Sequence, residues 1–299
     1  MPLPPPPSSG SSGPGTCGPA ALPLADLLRA AARAEKQPDN SEALVIAGAD
    51  LLTASRRAQT QPWEAAETAL SLGIVPARYQ RNLGAFGCEG QLRLHRSSAA
   101  MVGLGGLGGL ALESLARLGV GNIRGADGDF FEESNLNRQL LCEADSLFGP
   151  KSDAAARRVR RINPLLRFFA VRAFLEAGDM AEFLSGADVA LDCLGGLAHR
   201  PALEKAAGEA GIPLVTAAVA GWSGYVAVVM PGATGPAALM GASEGGAEDT
   251  LGTQPPAIYT ASAIMAGEAA RLLAFGKSAL AGRMLLFDLE RQTYDTVSI

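Results

Sequence analysis

Residues 101–119 read MVGLGGLGGLALESLARLG. An apolar run ends at Val102, a cluster of glycines follows, and apolar residues then recur at three- and four-residue spacing to Leu118. That is the pattern of a strand, a tight turn and a helix. Gly103, Gly105 and Gly108 stand at G-x-G-x-x-G spacing, with Gly106 beside them. Such a turn lets the backbone approach a phosphate, and the helix start offers it unpaired N–H groups and a partial positive charge. At the end of the next apolar run, IRGAD, stands Asp127, where an acid accepts hydrogen bonds from ribose hydroxyls. Taken alone, the turn suits a nicotinamide or flavin dinucleotide as well as ATP.

Outward from this turn, short apolar runs alternate with helical stretches. AAMVGLG (99–105), IRGAD (123–127), FFAVRA (168–173), ADVALDCL (187–194), PLVTAAV (213–219) and GYVAVVMPG (224–232) are expected as strands. Helices are expected at 106–118, 151–162, 179–185, 200–210 and 257–275. This alternation predicts an α/β fold with a Rossmann-like, doubly wound, mostly parallel sheet. RMLLFDL and TYDTVSI close the chain as C-terminal antiparallel strands. Residues 231–256, rich in Gly, Ala and Pro, are expected as a long loop. Upstream, residues 1–20 read as a disordered Pro/Gly/Ser tail. Residues 21–75 read as a small helical appendage built from LADLLRAAARAEK, SEALVIAGADLLTASRRAQ and PWEAAETALSLG, the last with Pro62 near a helix start. The main domain is expected over 76–299.

Composition narrows the classes. With 48 % hydrophobic and 18 % charged residues, the chain can bury a sizeable core. A net charge of −5 leaves no basic footprint for nucleic acid, and aromatics at 5 % are too sparse for base stacking. The most apolar stretch, 99–120, is broken by glycines and carries Glu113 and Arg117, so it reads as no membrane span. The opening MPLPPPPSSGSSGPG lacks the basic and apolar regions of a signal peptide. Cys17, Cys88, Cys142 and Cys193 form no C-x-x-C pair, which argues against a zinc site or a disulfide framework. The expectation is a cytoplasmic protein with reduced thiols.

Beyond the glycine turn, RYQRNLGAFGCEGQLRL (78–94), NLNRQ (135–139), GPK (149–151), INP (162–164), DCLGG (192–196) and AGIPLVTAAVAGWSGYV (210–226) follow in order. Over about two thirds of its length the chain resembles the ThiF/MoeB/HesA family, bacterial relatives of ubiquitin-activating enzymes. The resemblance implies a homodimeric adenylyltransferase that moves AMP from ATP, with Mg2+, onto the C-terminal Gly-Gly carboxylate of a ubiquitin-like sulfur-carrier protein. The pathways implied are of the molybdopterin, tungstopterin or thiamine type.

The residue types suit that task. ATP brings about four negative charges, so its site needs concentrated positive charge. Arg138 can clamp phosphate oxygens with a two-pronged fork, and Lys151 adds a second cation at a helix start. In the family both contact ATP. Gln139 can hydrogen-bond phosphate or substrate, Asn135 belongs to the same motif, and Arg81 matches an arginine that the family delivers from the other protomer. Asn82 is its polar companion. Asp127 would hold the ribose, with Asp129 close by. Arg157, Arg158, Arg160 and Arg161 form a charge run that reads mostly as a solvated helix face.

Two departures stand out. Where the family has D-C-x-D-N, this chain has Asp192, Cys193, Leu194, Gly195 and Gly196. Gly195 therefore replaces the family's magnesium-binding aspartate; Asp192, at the strand's C-terminal end, is the candidate to compensate, the other reading being that it points into the sheet. No cysteine follows Cys193, so neither the zinc pairs nor the thioester found in many family members is expected. Adenylate formation then remains the only chemistry, with Cys193 read as a small core residue. His95 and His199 are assigned no role. The 231–256 loop is a candidate to hold the partner's extended tail. Two other readings stay open. One is an adaptor that binds a carrier protein with weakened or no turnover. The other is an NAD(P)-dependent oxidoreductase, which gives no account of Arg138 and Lys151.

Overall fold

The computed structural model describes residues 23–37, 41–240 and 246–299; the expected tail at 1–20 lies outside them. The N-terminal unit holds helices α1 (Leu24–Ala31), α2 (Gly48–Arg57) and α3 (Pro62–Ser71). Pro62 opens α3, and Glu64 accepts the Gln61 N–H at 2.9 Å, so the first turn is capped. Two stretches expected to be helical are instead strands. β1 (Arg33–Lys36) pairs antiparallel with β2 (Glu42–Ile46), and β2 pairs parallel with β3 (Ile74–Pro76). The β-branched Val45 and Ile46 explain the difference: both are buried, in register with Val75 and Pro76, where stiff branched side chains suit a pleat. The appendage is therefore mixed rather than all-helical. Its small core of Leu28, Ile46, Leu51 and Ile74 also takes in Leu165 from the main domain.

A 3-10 turn (Ala77–Asn82) and α4 (Leu83–Arg96), neither expected, lead into the main domain. Its elements are β4 (Ser98–Val102), α5 (Gly106–Leu118), β5 (Asn122–Ala126), α6 (Lys151–Ile162), β6 (Arg167–Val171), α7 (Ala177–Leu184), β7 (Val189–Asp192), α8 (Arg200–Glu209), β8 (Leu214–Ala220) and β9 (Ser223–Val229). The short helices α9 (Pro236–Met240) and α10 (Glu248–Leu251) follow, then α11 (Pro255–Phe275), β10 (Arg283–Asp288) and β11 (Thr293–Ser298). The expected loop at 231–256 thus contains two short helices, with 241–245 outside the described residues.

The eight-stranded sheet runs β11-β10-β9-β8-β7-β4-β5-β6. The five strands from β8 to β6 are parallel, and β9, β10 and β11 are antiparallel. From β4 the chain winds outward through β5 and β6, then crosses back to β7 on the other side of β4. The strand order reverses there, and a crevice opens outside the carboxyl ends of β4 and β7. β7 is buried along its whole length, as expected of a parallel strand covered on both faces. α11 lies against α5, and its Ser262 hydroxyl donates to Leu107 O at 3.1 Å. Among the described residues, no helix is long and apolar enough to cross a membrane.

Candidate functional site

The crevice is shaped by glycines with different tasks. Gly103 has φ +97°, a left-handed conformation that L side chains rarely adopt, and a Cβ there would collide with Cys193 O. A Cβ on Gly108 would collide with Gly103 O. These two positions let α5 and the loop after β7 close onto the turn. Gly105 and Gly106 instead face the cavity. Asp127, just past β5, braces the turn: its Oδ2 accepts the Leu104 N–H at 2.7 Å and its Oδ1 accepts the Asp129 N–H at 2.8 Å.

The turn opens onto a cavity of about 550 Å³. Lys151, the first residue of α6, is 7 % exposed, and its ammonium lies 3.0 Å from Asp129 Oδ2. Arg138 reaches the cavity with its Nη1 donating to Ser134 O at 2.7 Å and to Asn137 Oδ1 at 3.0 Å. Among the described residues it forms no ion pair, so its charge is left for an anion. Gln139 is 8 % exposed, lines the cavity, and its Oε1 has no hydrogen-bond partner. A buried, orphaned acceptor is costly unless something meets it. The start of α5, Lys151 and Arg138 thus converge on one space, with Asp127 and Asp129 beside them. These features fit a nucleotide polyphosphate.

Several sequence candidates lie elsewhere. Asp192 is 1 % exposed and does not line the cavity. Its Oδ2 accepts from Arg200 Nη1 at 2.8 Å and Thr216 Oγ1 at 2.7 Å, and its Oδ1 accepts the Leu194 N–H. Of the two orientations open to it, Asp192 takes the inward one: at a strand end, neighbouring side chains face opposite ways. Asn135 is also outside the lining. Its Oδ1 accepts the Glu132 N–H at 3.1 Å, while its backbone carbonyl accepts the N–H groups of Arg138 and Gln139, so it shapes the turn that aims both. Gly108 contributes through packing alone. Arg81 is exposed on the 3-10 turn, away from the cavity, and Asn82 is held by Gln91 and the Leu118 carbonyl. Arg158, read as solvated, instead bonds the buried Glu113 at 2.7 Å.

The cavity also has walls that sequence reasoning missed: Phe174, His199, Arg200 and Glu248. Arg200, 3 % exposed, donates to Asp192 and to the carbonyls of Leu194, Gly196 and Ala217, so one guanidinium pins the loop after β7. Pro201 signalled the start of α8, but no local pattern shows where the arginine points. The Phe174 ring packs on Gly128, where a Cβ would lie 2.5 Å from it. Cys193 lines the cavity, yet burial and then the Asp192 carboxylate push its thiol far above the usual range. It stays a protonated packing group. Among the described residues, no cluster of three or more His, Cys, Asp or Glu forms a metal cage. Mg2+ at a nucleotide needs only one or two carboxylates beside the phosphates. Here Asp127 is occupied by backbone N–H groups and Asp129 by Lys151, while Glu248 accepts one N–H, from Gly196 at 3.0 Å.

The model of the ThiF family matches residues 79–299, and the chain belongs to that family. It is 34 % identical over 232 residues to the SAMP-activating enzyme E1 of Haloferax volcanii, covering 74 % of this chain and 84 % of that one. It is 33 % identical over 241 residues to the sulfur carrier protein adenylyltransferase of Thermus thermophilus, covering 74 % and 86 %. The crystal structure of E. coli MccB with ATP superposes with a TM-score of 0.64 at 19 % identity, over 83 % of this chain and 82 % of that one, a likeness of fold.

Proposed function

We propose that this chain is an ATP-dependent adenylyltransferase that activates the C-terminal carboxylate of a ubiquitin-like sulfur-carrier protein. The observation that carries the reading is the meeting of a glycine-lined helix start, an ammonium and a free guanidinium on one cavity, in a chain of the ThiF family. Family membership decides against the NAD(P) oxidoreductase that the glycine turn alone left open. ATP supplies the chemistry: a carboxylate oxygen bonds to the α-phosphorus as the bond to pyrophosphate breaks.

The side chains bind and orient. Backbone N–H groups at the start of α5 receive phosphate oxygens, and Lys151 and Arg138 neutralise charge that grows on the departing pyrophosphate. Asp127, in the cavity lining, accepts from the ribose hydroxyls, and the orphaned Oε1 of Gln139 accepts from a hydroxyl or amino group of the nucleotide. Mg2+ accompanies the ATP. The carrier's tail ends in Gly-Gly and lies along residues 231–256. The enzyme is a cytoplasmic homodimer in which Arg81 serves the partner's site.

The test is carrier-dependent exchange of labelled pyrophosphate into ATP, with small proteins ending in Gly-Gly as substrates. Exchange is expected with at least one carrier. Tight carrier binding with no exchange would favour the second reading, a non-catalytic adaptor, which the bare Gly195–Gly196 wall suggests.

A further inference from the structure

The loop after β7 forms one wall of the cavity, and at its centre that wall carries no functional group. Gly195 faces the cavity, and a Cβ built on it would meet nothing within 4 Å. Gly196 has φ +70°, which disfavours any side chain there. The loop's nearest carboxylate, Asp192, is turned inward and neutralised by Arg200. The opposite wall holds Lys151 and Arg138, and Asp129 there is already paired with Lys151.

α10 fills this gap. Glu248, its first residue, lies 52 positions from Gly196, yet its Oε1 accepts the Gly196 N–H at 3.0 Å, and the side chain lines the cavity. Gly246 makes room for it, since a Cβ at 246 would collide with Glu248 Oε2. Glu248 is half-buried and forms no ion pair within 4 Å among the described residues; the Arg200 guanidinium, already paired with Asp192, interacts with it at longer range. The unsatisfied Gln139 Oε1, more than nine-tenths buried in the same cavity, is an independent mark that a ligand completes this space.

We propose that Glu248 is the carboxylate that holds the divalent cation of the bound nucleotide, in place of a side chain that position 195 does not carry. The inference rests on the nucleotide-binding reading above. A hard cation prefers oxygen ligands and is bound at nucleotide sites through one or two carboxylates together with phosphate oxygens. Glu248 supplies that oxygen from α10, 52 positions along the chain from Gly196.

The experiment is calorimetric titration of the full chain with ATP, once in Mg2+ and once in EDTA, without carrier protein. For the unaltered chain, Mg2+ is expected to tighten ATP binding, because the cation bridges phosphate oxygens and a protein carboxylate. Glu248→Gln keeps an oxygen to accept the Gly196 N–H and so keeps the loop in place. It is expected to lose the Mg2+ enhancement while binding ATP in EDTA at least as well as the unaltered chain. The double variant Glu248→Gln, Gly195→Asp is expected to regain it, because the space beside position 195 is open. Glu248→Gln with undiminished Mg2+ enhancement overturns the proposal, as does an unaltered chain whose ATP affinity ignores Mg2+. A double variant that stays at the level of Glu248→Gln overturns the placement of the cation at this wall. An unaltered chain that binds no ATP in either buffer sinks the nucleotide reading itself, a separate outcome.

Discussion

Lys151 occupies a position with little freedom. Its stem is buried, its ammonium touches Asp129, and it begins a helix at the cavity edge. Lys151→Ala is expected to lower pyrophosphate exchange by about 100-fold or more, the usual scale for losing one group aimed at developing charge. Exchange within a factor of two of the unaltered chain would remove Lys151 from the machinery. Asp192 and Arg200 differ in kind, being a pair enclosed in the core. Asp192→Ala leaves a buried guanidinium without its counter-charge and is expected to destabilise the fold by about 3 kcal/mol. Urea unfolding reads this directly, and an unchanged midpoint would contradict it. His95 gives a pH dependence. Burial holds its imidazole below the ordinary value of 6.5, with the Trp63 carbonyl only partly opposing. The unfolded chain therefore takes up a proton below about pH 6.5 that the fold refuses, and stability falls as the pH drops through that value. In His95→Gln, the loss of stability between pH 7.5 and 5.5 should shrink; an identical loss would place the acid sensitivity elsewhere.

At the scale of elements, the glycine turn separates packing from binding. Gly108 has no room for a Cβ, whereas Gly195 has open space. Gly108→Ala is expected to drive the start of α5 off the turn, with a marked fall in melting temperature and loss of ATP binding. Gly195→Ala should melt as the unaltered chain does. Equal melting temperatures for the two would show that the turn tolerates more than its geometry implies. The turn, α5 and α6 were legible in sequence because each carries its own local pattern: glycine spacing, three-four periodicity, and Lys151 after Pro150. The strands β1 and β2 were not, since alanine-rich flanks mimic a helical period and only contact with β3 decides for the pleat. The orientation of Asp192 stayed open because a strand end gives no local sign of which face a side chain takes. Arg200 and Glu248 escaped because α8 and α10 meet the β7 loop through tertiary folding, across 52 residues in the second case.

Across the whole molecule, the sheet order explains why these groups meet. The chain leaves β4 in one direction and returns to β7 in the other, so β4 and β7 release their loops side by side. That reversal brings the Gly103 turn against Cys193, and the antiparallel β9–β11 extend the sheet on the side of β8. Family motifs had marked one side of the cavity and the β7 loop; Arg200 and Glu248, which complete the other wall, came only from topology. Arg81 lies exposed and outside the cavity lining of its own chain, and the proposed function gives it to a second protomer. Mixing Arg81→Ala with Lys151→Ala should then rebuild one intact site in each mixed dimer and restore about a quarter of full exchange activity. No restoration on mixing would confine Arg81 to its own subunit.

The claim beneath all of this is positional: one nucleotide polyphosphate sits at the tip of α5 between Lys151 and Arg138. A crystal structure with a non-hydrolysable ATP analogue and Mg2+ tests it most directly. Phosphates are expected against Gly105 and Gly106, with the Lys151 ammonium and the Arg138 guanidinium within hydrogen-bond reach. An analogue bound elsewhere, or phosphates touching neither cation, would contradict it.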